Sequence, residues 1–280
     1  MEKNCLICGS KYEKSKIVGL FECKSCGFKT ANIDISDDDL KKLYSDEYFH
    51  GEEYVSYTSD RDCLQKDFLS RLDVIKRFCP RSKDKKIFEI GCAYGFFLEL
   101  AKKYFDATAG IDIASSGVKY AKTKIGVEAY DGDFLNFNLC EHKDVFCLWD
   151  TIEHLRRPEL FIKKISDNLN KDGLIAITTG DIGSLNARLR GKKWRQIHPP
   201  THLHYFSKIS LLALLSKYGF QVVYVEYPGL YRSLDQIAYI SLVLKNKMNR
   251  LYDFLKKLGI LNGYIYLNTF DYMFVIGKKI

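Results

Sequence analysis

Two sets of residues in this sequence have the types and spacing that chemistry requires. Cys5 and Cys8 form one C-x-x-C pair (CLIC), and Cys23 and Cys26 form a second (CKSC), each followed directly by a glycine, Gly9 and Gly27. Two residues between thiolates let both sulfurs face one ion, and the glycine frees the tight turn that aims backbone N–H groups at the sulfurs. The intervening KYEKSKIVGLFE suits a short hairpin. Together the pattern is that of a zinc ribbon. Cys5, Cys8, Cys23 and Cys26 fill all tetrahedral positions and leave none for water, so the zinc is expected to be structural. The alternative, two redox-active pairs, leaves the paired glycines without a purpose. The second set is histidine. Three of the six histidines, His198, His202 and His204, stand together in HPPTHLHYF. An imidazole there can act as a base near neutral pH, ligate a metal, or only hydrogen-bond the loop backbone. H-x-x-x-H-x-H could supply metal ligands, but no neighbouring carboxylate or cysteine in the sequence completes that set. His154, in LWDTIEHL, is a further candidate base. His202 and His154 are the preferred pair.

These residues must be positioned by a chain of 280 residues, enough for one large α/β domain with a small appendage. The hydrophobic fraction of 46% and charged fraction of 28% are those of an ordinary globular protein. The start, MEKNCLICGS, has no apolar leader, and nine cysteines then point to reduced thiols or metal in a cytoplasmic protein. The longest apolar run, IAYISLVL at 237–244, stops at Lys245, so no membrane insertion is expected. A net charge of +8 permits an anionic partner without demanding nucleic acid. Oligomeric state is not written in any of this.

The expected organisation is a ribbon over 1–35, a helical linker or lid over 36–84, and an α/β domain over 85–280 with a helical insertion near 230–262. Ser36 is a plausible N-cap for a helix with Leu40, Leu43 and Tyr44 on its apolar face. A second helix runs from about 61 to 79 and is stopped by Pro80. From Lys86 strands and helices alternate: KIFEIG, GFFLELAKKY, TAGIDI, SSGVKYAKTK, VEAYDGD, VFCLWD, PELFIKKISDNL (ending near Asp172-Gly173), LIAITT, KISLLALLSKYGF, QVVYVEY and TFDYMFVIGKK. Such alternation implies a largely parallel sheet whose ligands lie at the carboxyl ends of the strands.

The first strand-to-helix turn, FEIGCAYGFF, contains Glu89, Gly91, Cys92 and Gly95. Gly91 lets the chain turn out of the strand, and Gly95 lets a ligand approach the following helix. Asp112, Asp133 and Asp150 close the next three strands, in GIDIA, DGDF and LWDTIEHL. As a set, E-x-G-x-x-x-G, D, D-G-D, W-D-T-I-E-H-L-R-R-P and L-N-K-D-G-L-I-A-I-T-T closely resemble class I S-adenosylmethionine-dependent methyltransferases over about residues 85–225. The resemblance implies a Rossmann-like α/β fold, a seven-stranded sheet with helices on both faces, here preceded by the ribbon. By position it sets Gly91 and Gly95 at the donor's amino-acid end, Asp112 at its ribose, and Asp133 with Phe134 at its adenine, with Glu89, Cys92 and Ile113 also in the donor-binding set. Asp150 falls between the methionyl group and the acceptor.

The ribbon, D-D-L-K-K-L-Y-S-D-E-Y-F and W-R-Q-I-H-P-P-T-H-L-H-Y-F-S together resemble a bacterial subgroup that modifies sugars or small metabolites. In that subgroup the region of Tyr48 and Phe49 would fold over the donor. Its deoxysugar C-methyltransferases carry a further C-terminal domain for which this chain has no room. The expected reaction is therefore O-methylation of a sugar or similar metabolite in surface-glycan or secondary metabolism. Arg188, Arg190, Lys192, Lys193 and Arg195 surround Trp194 just before the histidines. Arg190, Trp194 and Arg195 are expected to hold an anionic acceptor, nucleotide-linked or phosphorylated. Two alternatives stand beside this. One is ribosomal RNA base methylation, against which count the W-D-T-I-E-H-L loop and the scarcity of basic aromatic platforms on the ribbon. The other is a non-catalytic donor-binding scaffold.

Overall fold

The computed structural model describes residues 4–33, 35, 36, 39, 58 and 60–280. The helix expected from Ser36 to Tyr44 and the Tyr48–Phe49 cover lie outside the described residues. Three short strands open the chain: β1 (Tyr12–Lys14), β2 (Leu20–Cys23) and β3 (Lys29–Ala31). Helix α1 (Arg61–Phe78) follows, and then β4 (Lys86–Ile90), α2 (Phe96–Ala101), β5 (Ala107–Asp112), α3 (Ser115–Tyr120) and β6 (Glu128–Asp131). Next come β7 (Lys143–Trp149), α4 (Pro158–Asn168), β8 (Leu169–Gly180), α5 (Leu185–Arg190), β9 (His204–Tyr205), α6 (Lys208–Lys217) and β10 (Phe220–Glu226). The chain closes with β11 (Leu230–Ser233), α7 (Leu234–Ala238), α8 (Asn249–Lys257), β12 (Tyr264–Leu267) and β13 (Tyr272–Lys279).

The main sheet has seven strands in the order β10-β13-β8-β7-β4-β5-β6. β4 to β8 run parallel, while β13 is antiparallel to both β8 and β10. This is the Rossmann-like α/β architecture. Alternation along β4 divides its side chains between two cores, Ile87 to one face and Phe88 to the other. The first core takes Phe68, Leu72 and Ile75 of α1 with Phe97, Val145 and Phe274. The second takes Phe146, Phe161, Ile175, Leu211 and Met273. Burial of each such side chain stabilises the fold by roughly 1.5–3 kcal/mol. Thus α1 packs directly on the sheet, although its sequence alone suggested part of a linker. The strand order reverses between β4 and β7, and the crevice at the carboxyl ends of these strands is where such sheets take ligands.

A second sheet, β1-β2-β3-β9, joins segments far apart in the chain. β9 pairs antiparallel with β3, with Lys29 opposite Tyr205 and Thr30 opposite His204. The Leu203 carbonyl accepts from Ala31 N at 2.8 Å and from Thr30 Oγ1 at 3.2 Å. Phe28 packs against the rings of His204 and Phe206, with centroids 5.3 and 5.0 Å away. Lys217 Nζ donates to the Ile7 carbonyl at 2.8 Å. The cysteine-bearing hairpin is thereby fastened to the histidine segment.

Two elements differ from the sequence expectation. Helix α4 ends at Asn168 and strand β8 begins at once, because Leu169 turns into the core and pairs with Lys143. The insertion near 230–262 is not helical throughout. It opens on β11, which pairs with β12, and the helices lie between these two strands.

Candidate active site

The turn after β4 is shaped by close approach. Gly91 has φ +79°, and a Cβ there would lie 2.5 Å from Thr151 Oγ1, whose hydroxyl is anchored to the Trp149 carbonyl at 3.0 Å. Gly95 has φ +75°, and its Cβ would meet Val127 at 2.8 Å. Asp112, at the end of β5, fastens this turn. Its Oδ2 accepts from Ala93 N and its Oδ1 from Ala114 N, both at 2.8 Å. Burial pushes the Asp112 carboxyl up, and those N–H bonds pull it back. Asp133 accepts from Leu135 N at 2.9 Å and Asn136 Nδ2 at 3.1 Å. Asp150, with φ +50°, accepts the Tyr272 hydroxyl at 2.7 Å and lies 4.0 Å from the buried Arg71 guanidinium. These residues follow the carboxyl ends of four adjacent strands, β4, β5, β6 and β7.

Three residues of the expected donor set turn their side chains inward. Cys92 packs beneath Gly110, whose Cβ would lie 2.6 Å from that of Cys92. Phe134 lies in the core against Phe146 and Phe161, so its ring is not offered to a ligand. Glu89 is buried in β4, its Oε2 has no hydrogen-bond partner, and desolvation drives its carboxyl well above the ordinary value. A buried carboxylate oxygen of this kind is stabilised by a cation, and a sulfonium or ammonium group would supply one.

The histidines separate into two environments. His154 ends the short turn Ile152–His154 after β7, and its ring centroid lies 4.6 Å from that of His202. His198 lies on the other side of His202, at 3.8 Å. Backbone hydrogen bonding joins the two segments, with Leu203 N donating to the Glu153 carbonyl at 2.9 Å. The tautomers follow from the acceptors. His154 Nδ1 faces the Thr201 carbonyl and His202 Nδ1 the Gln196 carbonyl, each at 2.9 Å, so His202 Nδ1 carries the hydrogen, while the His154 ring also bonds the Asp150 backbone. The Thr201 hydroxyl donates to the His198 carbonyl at 2.8 Å and must therefore accept from His198 Nδ1. The lone pair of the His202 and His198 rings is then on Nε2. Burial lowers His154 to about 4 and lowers His202 well below its ordinary value, holding both neutral. His204 does not join them. Its ring is buried against Phe28 with Nε2 toward the Arg156 carbonyl, which makes it part of the seam between the two sheets rather than a base.

Trp194 also departs from expectation. It is 2% exposed, packed with Leu20, Ala31, Ile182 and Tyr205, and its Nε1 donates to Asp271 Oδ2 at 2.7 Å. The indole holds this segment down and offers no surface to an acceptor. Arg190 is exposed and bonded to Asn186 Oδ1 at 2.9 Å, and Arg195 is half-exposed, 4.0 Å from Asp271. Sequence reasoning missed Glu153, although it stands beside His154 in the same motif. It also missed Arg71 and Tyr272, which tether Asp150 from α1 and β13 and carry no local signal.

The four cysteines converge. Cys5 Sγ and Cys26 Sγ are 3.5 Å apart, Cys8 Sγ and Cys23 Sγ are 3.3 Å apart, and all lie within 4.8 Å of one another. A tetrahedron of ~2.3 Å zinc–sulfur bonds has edges of about 3.8 Å, so the group could hold zinc with small adjustments. Gly9 N and Gly27 N bond back to the Cys5 and Cys23 carbonyls at 2.9 and 2.8 Å, closing the two knuckles.

The family model for a methyltransferase domain matches residues 57–225, and this chain belongs to that family. It is an S-adenosylmethionine-dependent methyltransferase. A UPF0146 protein of Methanocaldococcus jannaschii is 30% identical over 128 residues, 44% of this chain and 88% of that protein. Magnesium protoporphyrin IX methyltransferase from Synechocystis PCC 6803, solved with bound S-adenosylhomocysteine, superposes with a TM-score of 0.57 at 10% identity. The match covers 88% of this chain and 100% of that one. A SAM-dependent methyltransferase from Archaeoglobus fulgidus gives 0.51 at 19% identity, over 83% and 97% of the two chains. At these identities the likeness is one of fold. Among the described residues no helix is long and apolar enough to cross a membrane.

Proposed function

We propose that this methyltransferase methylates a hydroxyl of a small anionic acceptor, such as a nucleotide-linked or phosphorylated sugar. The observation that carries the reading is the histidine cluster beside the end of β7, on a segment that also bears Arg190 and Arg195. The donor's place is supported by the fit of two features. Gly91 keeps the turn after β4 tight against Thr151, where any Cβ would collide, and Glu89 keeps a buried carboxylate oxygen without a hydrogen bond. Gly91 and Gly95 would face the amino-acid end, Asp112 with Ile113 the ribose, and Asp133 with the main chain of Phe134 the adenine. Asp150 would lie at the junction with the acceptor. Bound there, S-adenosylmethionine supplies an electrophilic methyl on a sulfonium sulfur.

The chain's own residues must then orient the acceptor oxygen and remove its proton. His198, half-buried at the edge of the cluster with its lone pair on Nε2, is placed to take that proton and pass it to water. This shifts the preferred base away from His154 and His202, whose burial suits them to hold rather than to shuttle. The cysteines would carry structural zinc, and the β3–β9 pairing transmits their order to the histidine segment.

The test is label transfer from the donor to two pools, nucleotide-linked or phosphorylated sugars and bacterial RNA. Label entering the sugar pool supports the proposal, and label confined to RNA defeats it. With the acceptor in hand, Arg190→Gln and Arg195→Gln should each raise its KM by roughly 10-fold or more, since a hydrogen bond to a charged group contributes about 1.5–3 kcal/mol. Donor KM should not change. An unaltered acceptor KM in both variants removes the arginines from the site.

A further inference from the structure

We propose that Glu153, His154 and His202 form a second metal centre, a divalent-cation site with open positions, separate from the four cysteines and beside the methyl-transfer crevice. The proposal deepens the reading above and rests on it for the acceptor's role. One ligand atom from each of these residues lies within 4.8 Å of the others. Bonds of ~2.0–2.2 Å from nitrogen and oxygen to a transition-metal ion require only a modest contraction of that group.

Three further observations favour a cation. First, the residues are already held in place. Glu153 and His154 occupy the short turn Ile152–His154, and the Leu203 N to Glu153 carbonyl bond fixes the neighbouring segment against it. Second, His202 has the arrangement that metal-binding histidines use. Its Nδ1–H is spent on the Gln196 carbonyl, which orients the ring and leaves Nε2 as the ligand atom, while backbone bonds to Thr201 and Asp150 hold the His154 ring in place. Third, Glu153 and His202 are 3% and 5% exposed, so a carboxylate is buried among imidazoles, and a bound cation would offset its charge.

Two imidazoles and one carboxylate suit zinc, iron(II), cobalt(II) or manganese(II), and three protein ligands leave coordination positions for an outside oxygen. The four-cysteine group differs in both respects, being soft and closed. His154 is only four positions after Asp150, which sets the centre near the region assigned to donor and acceptor. An acceptor hydroxyl bound there would lose its proton more readily, as metal-bound water does. The carboxylate that HPPTHLHYF lacks in its own sequence is thus delivered by the loop after β7.

The experiment is a metal count on the full chain purified with zinc, followed by cobalt(II) titration. The native protein should hold one zinc resistant to desalting and bind a further equivalent of cobalt. The cobalt should show the weak visible bands of a nitrogen- and oxygen-bound ion, without thiolate charge-transfer absorption. Glu153→Gln and His202→Ala should each weaken cobalt binding about 100-fold or more, with the zinc retained. S-Adenosylhomocysteine binding, measured on the same samples, shows that the fold and donor site survive. A native protein that takes no cobalt beyond the zinc site overturns the proposal, as does cobalt binding unchanged in both variants. If cobalt binds as described but no small acceptor is methylated, the acceptor reading fails and the metal centre stands.

Discussion

Gly91→Ala will bind S-adenosylmethionine and S-adenosylhomocysteine at least about 100-fold more weakly than the native protein, while its unfolding temperature falls by only a few degrees. Two costs meet at this position. A side chain at φ +79° costs on the order of 1 kcal/mol in backbone strain. The added methyl would also sit 2.5 Å from Thr151 Oγ1 and 2.8 Å from its Cγ2. Thr151 is branched at Cβ and its hydroxyl is bonded to the Trp149 carbonyl, so it cannot rotate away without losing that bond. The turn must therefore move, and with it Ala93 N, which Asp112 holds. A displacement of about 1 Å at a binding turn is enough for a 100-fold effect. The sheet is spared because Gly91 lies beyond the last residue of β4. Gly126→Ala is the control. Gly126 also has positive φ, +70°, but nothing lies within 4 Å of its Cβ, so this variant bears the strain without the collision. Isothermal titration with S-adenosylhomocysteine separates the two. Equal affinities for native protein and Gly91→Ala would take Gly91 out of the donor site.

The second large effect is expected at a distance. Cys5→Ser combined with Cys23→Ser should remove zinc and reduce methyl transfer to the acceptor by at least about 100-fold, with donor affinity within about threefold of native. Both thiols are buried, and the hairpin they close has strands of only three or four residues. Strands this short are not stable alone in water. Structural zinc contributes about 10–16 kcal/mol of apparent binding energy in small zinc-dependent folds, so its loss releases the hairpin. β9 then loses its pairing partner, and the Leu203 carbonyl loses the N–H of Ala31 and the hydroxyl of Thr30. His202 and His198 are carried on that same segment. The glycine turn proposed to hold the donor rests on β4 to β6, across the main sheet, and keeps its supports. Hydrogen exchange should report the change at Leu203 to Tyr205 and leave β4 and β5 protected. Full methylation by a zinc-free protein would show that the ribbon does not order the acceptor side.

The turn after β4 and the acidic residues at the strand ends were legible in the sequence because their geometry is local. A glycine turn between a strand and a helix, and acidic residues at successive strand ends, set their own positions once the alternating pattern is in register. The cysteine spacing is local in the same sense, since two knuckles and a short hairpin bring four sulfurs together without help from the rest of the chain. The histidine cluster was not legible. Glu153 meets His202 only because the loop after β7 and the segment after α5 pack together, and sequence spacing carries no record of that meeting. His204 and Trp194 look alike with their neighbours in a polar, basic stretch, yet Phe28 covers the one and Asp271 anchors the other inside small cores. What the sequence determined by itself was a methyltransferase sheet with its glycine turn after β4 and a four-cysteine knuckle pair, each set by spacing within a few turns of chain. Tertiary structure alone decided which histidines stand together, which carboxylate joins them, and that the ribbon supports their segment, because those contacts arise from packing between elements remote in sequence.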